Sequence, residues 1–366
     1  MRVLVTGAAG FIGGYVIPEL LGAGHEVVGI DNLATYGRPR RAFESHPGYR
    51  FIVGDATDSD LLRGLSADCD QIVAAAGLVG GSSSFAELAY DLLATNERII
   101  AATFDAAIDA CLDGHLDRIV VLSSSLVYES ASIFPTPEGT QLASPPPLST
   151  YGFQTLASEY FAKGAWEQYR LPYTILRLSN VVGIGAPVAA EASSTIAGLR
   201  HPDTGELRLA LNNTVQDLAL QAIEGHDPVH IRGSGGQIRP FTHAADAARG
   251  IRLAMESDAG RNNDFNISTA EATSVLDRAE RIWRRVHGID RPFHVVSDEP
   301  PAYDVPIRTP DVRKARALLG FTATTSLEEM IDEAIAWIRA ELDAGDIDAG
   351  GRPRTPAGAS RDEQQR

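Results

Sequence analysis

The chain is expected to be an α/β protein with a doubly wound parallel sheet and a smaller C-terminal lobe. Three observations carry this expectation. Short apolar runs alternate with helical patterns from the first residues to about residue 180. The fifth run, Arg118-Ile119-Val120-Val121-Leu122, is apolar beyond its first residue, as in a strand covered on both faces. The first run, Arg2-Val3-Leu4-Val5-Thr6, leads straight into a glycine-rich turn, Gly7-Ala8-Ala9-Gly10-Phe11-Ile12-Gly13. A helical pattern (Tyr15, Val16, Leu20, Leu21) follows that turn.

The remaining elements follow in order. Glu26-Val27-Val28-Gly29-Ile30 is a second strand that ends in Asp31, and Phe51-Ile52-Val53 is a third. Gln71-Ile72-Val73-Ala74-Ala75 is a fourth, and a long helix runs from about Phe85 to Cys111. After the fifth strand come a helix from about Tyr151 to Tyr169 and a sixth strand, Tyr173–Leu178. Sheets of this Rossmann kind bind ligands at the carboxyl ends of their strands. Gly7, Asp31, Asp55, Ala75, Ser124 and Asn180 should therefore converge on one rim. Beyond residue 180 the regularity weakens. Residues 183–214 are small and polar, and loops of that length are usually functional or disordered. A helix near 215–224, a strand at 229–231 and helices near 243–256 and 273–287 follow. The expected division is a cofactor domain over 1–180, to which about 229–256 returns, and a substrate lobe over 181–340. The stretch 346–366, rich in Gly, Pro, Arg and Asp, is expected to be a disordered tail.

The glycine turn has a chemical reading. Gly7 allows a sharp turn, Gly10 lets the backbone approach a pyrophosphate, and Gly13 lets the helix pack close to the strand. The helix N-terminus then faces the negative charge. Asp31, 21 residues beyond Gly10, is placed to accept hydrogen bonds from the adenosine ribose hydroxyls. A carboxylate there repels a 2′-phosphate, so NAD is favoured over NADP. Arg38, Arg40 and Arg41 weaken that preference only slightly.

Composition sets outer bounds. With 366 residues, 44% hydrophobic and 22% charged, the chain can bury a sizeable core. Its net charge of −16, without a basic stretch, argues against nucleic acid or an anionic membrane as main partner. No run of about 18 apolar residues suggests a membrane span. The opening residues already read as a core strand, which leaves no room for a signal peptide. Cys69 and Cys111 are the only cysteines, so neither a disulfide framework nor a metal cluster is expected, and a reducing cytoplasm fits.

Ser123-Ser124-Ser125 ends the fifth strand, and Tyr151 starts the next helix. A serine hydroxyl and a tyrosine so placed can meet above a bound nicotinamide and share one substrate oxygen. The tyrosine would act as base in oxidation and acid in reduction. A free phenol ionises near pH 10, so a nearby cation is needed at neutral pH.

At this point the chain resembles the extended short-chain dehydrogenase/reductases, and within them the NAD-dependent nucleotide-sugar epimerase/dehydratase group. The resemblance covers roughly residues 1–335. It rests on Thr6-Gly7-Ala8-Ala9-Gly10-Phe11-Ile12-Gly13, Gly54-Asp55, Ala75-Ala76-Gly77, Thr95-Asn96 and Ser123-Ser124-Ser125-Leu126-Val127-Tyr128. Tyr151-Gly152, Leu176-Arg177-Leu178-Ser179-Asn180 and Arg239-Pro240-Phe241-Thr242-His243-Ala244-Ala245-Asp246 complete it. The resemblance implies that Asp31 and Asn32 bind the adenosine ribose and that Asp55 and Ala56 hold the adenine. It places Phe11, Ile12, Ala75, Ala76, Gly77 and Asn96 along the cofactor. Ser124 and Tyr151 become the catalytic pair, with Ser125 beside them. Asn180 and Arg239 would contact the diphosphate of a sugar nucleotide, Arg308 would stand in for a further arginine of the nucleotide pocket, and His243 would be structural.

Three departures from the family pattern matter. The family has Tyr-x-x-x-Lys, with the lysine holding the nicotinamide ribose and lowering the tyrosine pKa. Here Thr155 takes that place; it can hydrogen-bond the ribose but carries no charge. Losing that cation raises a phenol by about one unit or more. Lys163, eight residues further along the helix and roughly 12 Å away, cannot replace it. Second, family dehydratases carry acids just after the catalytic hydroxyl, and family decarboxylases carry a glutamate at the place of Leu126. Ser125 and Leu126 offer none, which leaves a 4-epimerase, needing only Ser, Tyr and NAD. Third, Glu129 follows Val127-Tyr128, where the family often has glycine; it is either a carboxylate near the substrate or a solvated side chain.

The expected function is thus an NAD-dependent nucleotide-sugar 4-epimerase with a degenerate Tyr-x-x-x-Thr motif. Two alternatives stand beside it. One is a catalytically weakened or engineered NAD and sugar-nucleotide binding protein. The other is a related oxidation or dehydration of a sugar nucleotide. By resemblance the chain forms a homodimer through the helices near 85–111 and 151–169.

Overall fold

The computed structural model describes residues 1–35, 37, 41–79, 88–184, 214–300 and 305–344. The expected stretch 346–366, Arg38, Arg40, the start of the long helix at Phe85 and most of 183–214 lie outside these residues.

Seven parallel strands form the central sheet. In chain order the first six are β1 (Arg2–Thr6), β2 (Glu26–Asp31), β3 (Tyr49–Val53), β4 (Gln71–Ala74), β5 (Arg118–Ser124) and β6 (Tyr173–Leu178). The seventh, Asn263–Ile267, comes from late in the chain and pairs with β6. The spatial order is β3-β2-β1-β4-β5-β6 followed by 263–267, the doubly wound arrangement. Val3, Val5, Val73 and Val120 face one apolar layer, and Leu4, Ile72, Ile119 and Val121 face the other. This two-sided burial is why the strands read as nearly continuous apolar runs.

Helices cover both faces. On the first layer lie α1 (Gly13–Gly22) and the helix Ala244–Glu256, which pack against each other. On the second lie α2 (Ser59–Ser66), α3 (Ala89–Leu112) and α4 (Thr150–Tyr169). A third apolar cluster sits outside the sheet, where the helices Thr214–Glu224, Val275–His287 and Leu327–Ala344 meet around Trp283, Ile282 and Ile338.

One expected connection is corrected. The strand Val229–Arg232 does not return to the sheet; it pairs in parallel with Val295–Asp298. The returning elements are the helix 244–256 and the strand 263–267.

Candidate active site

The rim at the strand ends is built largely by side chains that fix backbone. Thr6 Oγ accepts from the N–H groups of Ala75 (3.1 Å) and Ala76 (3.0 Å), which ties the end of β4 to the end of β1. Asn96, buried on α3, accepts from Leu78 N (2.6 Å) and donates to Leu78 O (2.9 Å). Asn96 thereby holds the chain just beyond Gly77.

The glycine turn has the shape a pyrophosphate requires. Gly7 has φ +73°, and a Cβ there would lie 2.8 Å from Ala75 O. A Cβ at Gly13 would lie 2.5 Å from Gly7 O and 2.8 Å from Ala8 O, so only glycine permits this approach. Ile12, the N-cap of α1, makes no side-chain capping bond, and the first turn carries no acid. Gly14 N and Tyr15 N are already taken by Gly10 O and Ile12 O (both 3.0 Å), so what the helix terminus, with Phe11 and Ile12 at its entry, offers an anion is chiefly its positive end. Arg41 lies beside this first turn, its guanidinium carbon 2.8 Å from where a Gly14 Cβ would be.

Asp31 accepts from Ala9 N (3.0 Å) and Leu33 N (2.7 Å). Burial pushes its pKa up, against those two backbone bonds. Each carboxylate oxygen keeps a further lone pair for a ribose hydroxyl. Asp55 accepts from Asn32 Nδ2 (3.0 Å) and from Thr57 N and Oγ1. Burial raises the Asp55 carboxyl, but the bonds from Asn32 and Thr57 hold it below its ordinary value. Ala56 follows, buried. These groups suit an adenosine moiety and give the first half of the site.

The second half joins β5 to α4. Ser124 ends β5, accepts from Leu126 N (3.2 Å) and hydrogen-bonds Tyr151. Ser125 is buried beneath it. Burial raises the Tyr151 phenol, while the charge of Arg308 and the Ser124 bond pull it back down. Thr155 is buried one turn on, and its hydroxyl donates to Gly152 O at 2.9 Å. Its hydroxyl proton is therefore committed to its own helix. Lys163 lies over the Tyr160 ring, 5.4 Å from its centroid, on an exposed part of the helix.

Glu129 is neither solvated nor free beside the substrate. It is 6% exposed and accepts from Ser149 N (2.8 Å) and Ser149 Oγ (2.6 Å). Ser149 in turn accepts from Gly152 N at 2.9 Å and caps α4. Glu129 thus sets the start of the helix that carries Tyr151. The residue's partner lies 20 positions away, which a sequence pattern does not show.

Asn180, at the end of β6, donates to Pro240 O (2.8 Å) and accepts from Arg308 (2.8 Å). Arg239 donates to the carbonyls of Ile238 (2.8 Å), Pro306 (3.2 Å) and Val305. His243 accepts from Ala245 N (3.2 Å), capping its own helix, and pairs with Glu333 at 2.9 Å. Among the described residues no group of three His, Cys, Asp or Glu side chains could hold a metal ion, and no helix is long and apolar enough to cross a membrane.

The doubly wound sheet and the glycine turn are those of a dinucleotide-binding protein, with the Ser124–Tyr151 pair at the rim. Comparison with known proteins gives the family. Residues 3–268 match the NAD dependent epimerase/dehydratase family, and the chain belongs to it. It is 27% identical over 342 residues to a UDP-glucose 4-epimerase of Lactobacillus helveticus, covering 92% of this chain and 95% of that one. It is 26% identical over 347 residues to UDP-glucuronic acid decarboxylase 1 of Danio rerio, covering 93% and 73% respectively. The crystal structure of UDP-glucuronic acid 4-epimerase from Bacillus cereus, in complex with UDP-glucuronic acid and NAD, superposes with a TM-score of 0.73. It shares 26% identity and covers 93% of this chain and 99% of that one. The family is NAD-dependent, and the cradle described above fits that cofactor.

Proposed function

We propose that the protein is an NAD-dependent nucleotide-sugar 4-epimerase. The observation that supports this best is the Ser124–Tyr151 pair, with no carboxylate at Ser125 or Leu126 and with Glu129 committed to Ser149. A dehydratase or decarboxylase would need an acid there; an epimerase does not. Gly7, Gly10 and Gly13, with Phe11 and Ile12, would hold the pyrophosphate. Asp31 and Asn32 would hold the ribose, Asp55 and Ala56 the adenine, and Ala75, Ala76, Gly77 and Thr155 the nicotinamide side. NAD, when bound, supplies a hydride acceptor and returns the hydride. Tyr151 takes the proton of the sugar C4 hydroxyl as that carbon is oxidised. Ser124 donates a hydrogen bond to the same oxygen as it becomes a carbonyl. After the keto sugar turns and its C4 receives the hydride on the opposite face, Tyr151 returns the proton to the C4 oxygen. Asn180 and Arg239 would meet the diphosphate.

Incubation with NAD and UDP-, dTDP-, GDP- or CDP-hexoses and hexuronates should convert one of them into a product of identical mass and inverted C4, read by mass spectrometry and NMR. Loss of carbon dioxide or of water would replace this reading with decarboxylation or dehydration. A second reading, an NAD and sugar-nucleotide binding protein of low turnover, is favoured by Thr155. Binding of both ligands without turnover would establish it.

We also propose a homodimer through α3 and α4, which pack together and leave Tyr90, Phe153 and Tyr160 exposed. Sedimentation should give twice the chain mass at micromolar concentration, and Tyr160→Glu should shift it to monomer. A wild-type monomer would reject the interface.

A further inference from the structure

The family lysine is missing at position 155, yet the tyrosine is not without a cation. We propose that Arg308, delivered from the C-terminal lobe, is the positive charge that faces the Tyr151 hydroxyl in place of that lysine. This rests on the reading of Tyr151 as the acid/base group and goes beyond it by naming the group that makes it work.

The geometry is a built one. Ile238 N donates to Pro306 O (2.8 Å), and Arg308 N donates to Ile238 O (3.2 Å). Ile238 and Ile307 form a parallel bridge between these bonds. Arg239 crosses from the same strand to the carbonyls of Val305 and Pro306. Four contacts therefore fix the segment 305–308. Arg308 projects from it to donate to Asn180 Oδ1 at 2.8 Å, and Asn180 is itself held by Pro240 O. Arg308 Nε is buried and makes no hydrogen bond. A buried guanidinium donor with no acceptor is expensive unless something negative uses it. Asn180, which holds Arg308, lies two residues beyond Leu178, the β6 residue paired with Ser124 on β5, and Ser124 hydrogen-bonds Tyr151, so Arg308 is anchored on the same rim. Burial and then Arg239 oppose the Arg308 charge and lower its pKa to about 9, while Glu129 and Tyr151 favour the charged form. Glu129 already accepts two bonds from Ser149, so Tyr151 is the partner whose charge changes during the reaction. In support, the Arg308 charge acts to lower the Tyr151 phenol.

A lysine on the tyrosine's own helix is replaced by an arginine 157 residues beyond the tyrosine, on a different lobe. Ionisation of the phenol then depends on the 238–308 contacts as well as on the Rossmann domain.

The test is a titration of Tyr151 in the full chain without added cofactor. Tyrosines would carry 13Cζ, and Tyr151→Phe would assign the signal. Arg308→Met should raise the Tyr151 midpoint by about one unit or more. Arg308→Lys should keep most of the wild-type value, and Thr155→Lys added to Arg308→Met should bring the midpoint back down. Arg308→Gln decides the matter if the methionine variant does not fold. An unchanged midpoint in the folded, uncharged variant overturns the proposal. This readout is independent of turnover. A shifted midpoint in a chain that turns over no sugar nucleotide sinks the epimerase reading and leaves the charge pairing standing. Turnover with an unmoved midpoint does the reverse.

Discussion

Tyr151→Phe should lower the turnover number for epimerisation by about 10²–10⁴-fold while leaving NAD binding intact. The substitution removes one oxygen and no packing. The ring stays at the start of α4, and Ser124 keeps its bond from Leu126 N. The Thr6 and Asn96 bonds that shape the cofactor rim are untouched. What disappears is the group that exchanges the C4 proton, so the loss should fall on kcat rather than on KM. Ligand-quenched fluorescence would report NAD affinity, and steady-state kinetics the turnover. Activity within tenfold of the parent chain would remove Tyr151 from the mechanism and return the assignment to another base.

Glu159→Ala should destabilise the fold by about 3–5 kcal/mol, the usual consequence of removing one partner of a buried ion pair. Glu159 and Arg177 are both fully buried. Glu159 accepts from Arg177 Nε (2.7 Å) and Nη2 (2.8 Å), from Ser123 Oγ (2.8 Å) and from Gln141 Nε2 (3.2 Å). Alanine strands Arg177 Nε, Ser123 Oγ and Gln141 Nε2 away from water. Arg177 retains Asp264 (2.8 Å) and Tyr128 Oη (3.0 Å), which limits the damage without cancelling it. Glu159→Gln keeps an acceptor and should be milder. Urea unfolding followed by circular dichroism would show the midpoint falling at similar slope. A midpoint unchanged in the alanine variant would show that Asp264 alone balances the arginine. Because Ser123 directly precedes Ser124, the same variant should also loosen the catalytic strand end.

What the sequence made legible follows from local physics. β1 to β6 were readable because burial on both faces leaves uninterrupted apolar runs. The strand 263–267 was not. Its sequence, Asn-Asp-Phe-Asn-Ile, is mostly polar, and it is an edge strand. Asp264 meets Arg177 and Lys314 (2.6 Å), while Asn266 meets Tyr128, Thr136 and Asp311. Polar residues that are satisfied by distant partners look like loop residues in a linear reading. The glycine turn, Asp31 and the Ser–Tyr pair were legible because their chemistry lies in short spacings. The burial of Glu129 was not legible, because its partner Ser149 lies 20 positions along the chain. Glu129 looked optional until Ser149 stood beside it. For Arg308, a linear reading does not show the bond to Asn180, 128 positions away.

The route of the chain orders events during synthesis. Everything that shapes the cofactor cradle, from Gly7 to Asn96, emerges first, and domains fold as they emerge. The sheet closes only when 263–267 reaches β6, and the arginine at 308 arrives later still. On the proposed pairing, the residues that would hold the nucleotide are thus made well before the arginine set against Tyr151.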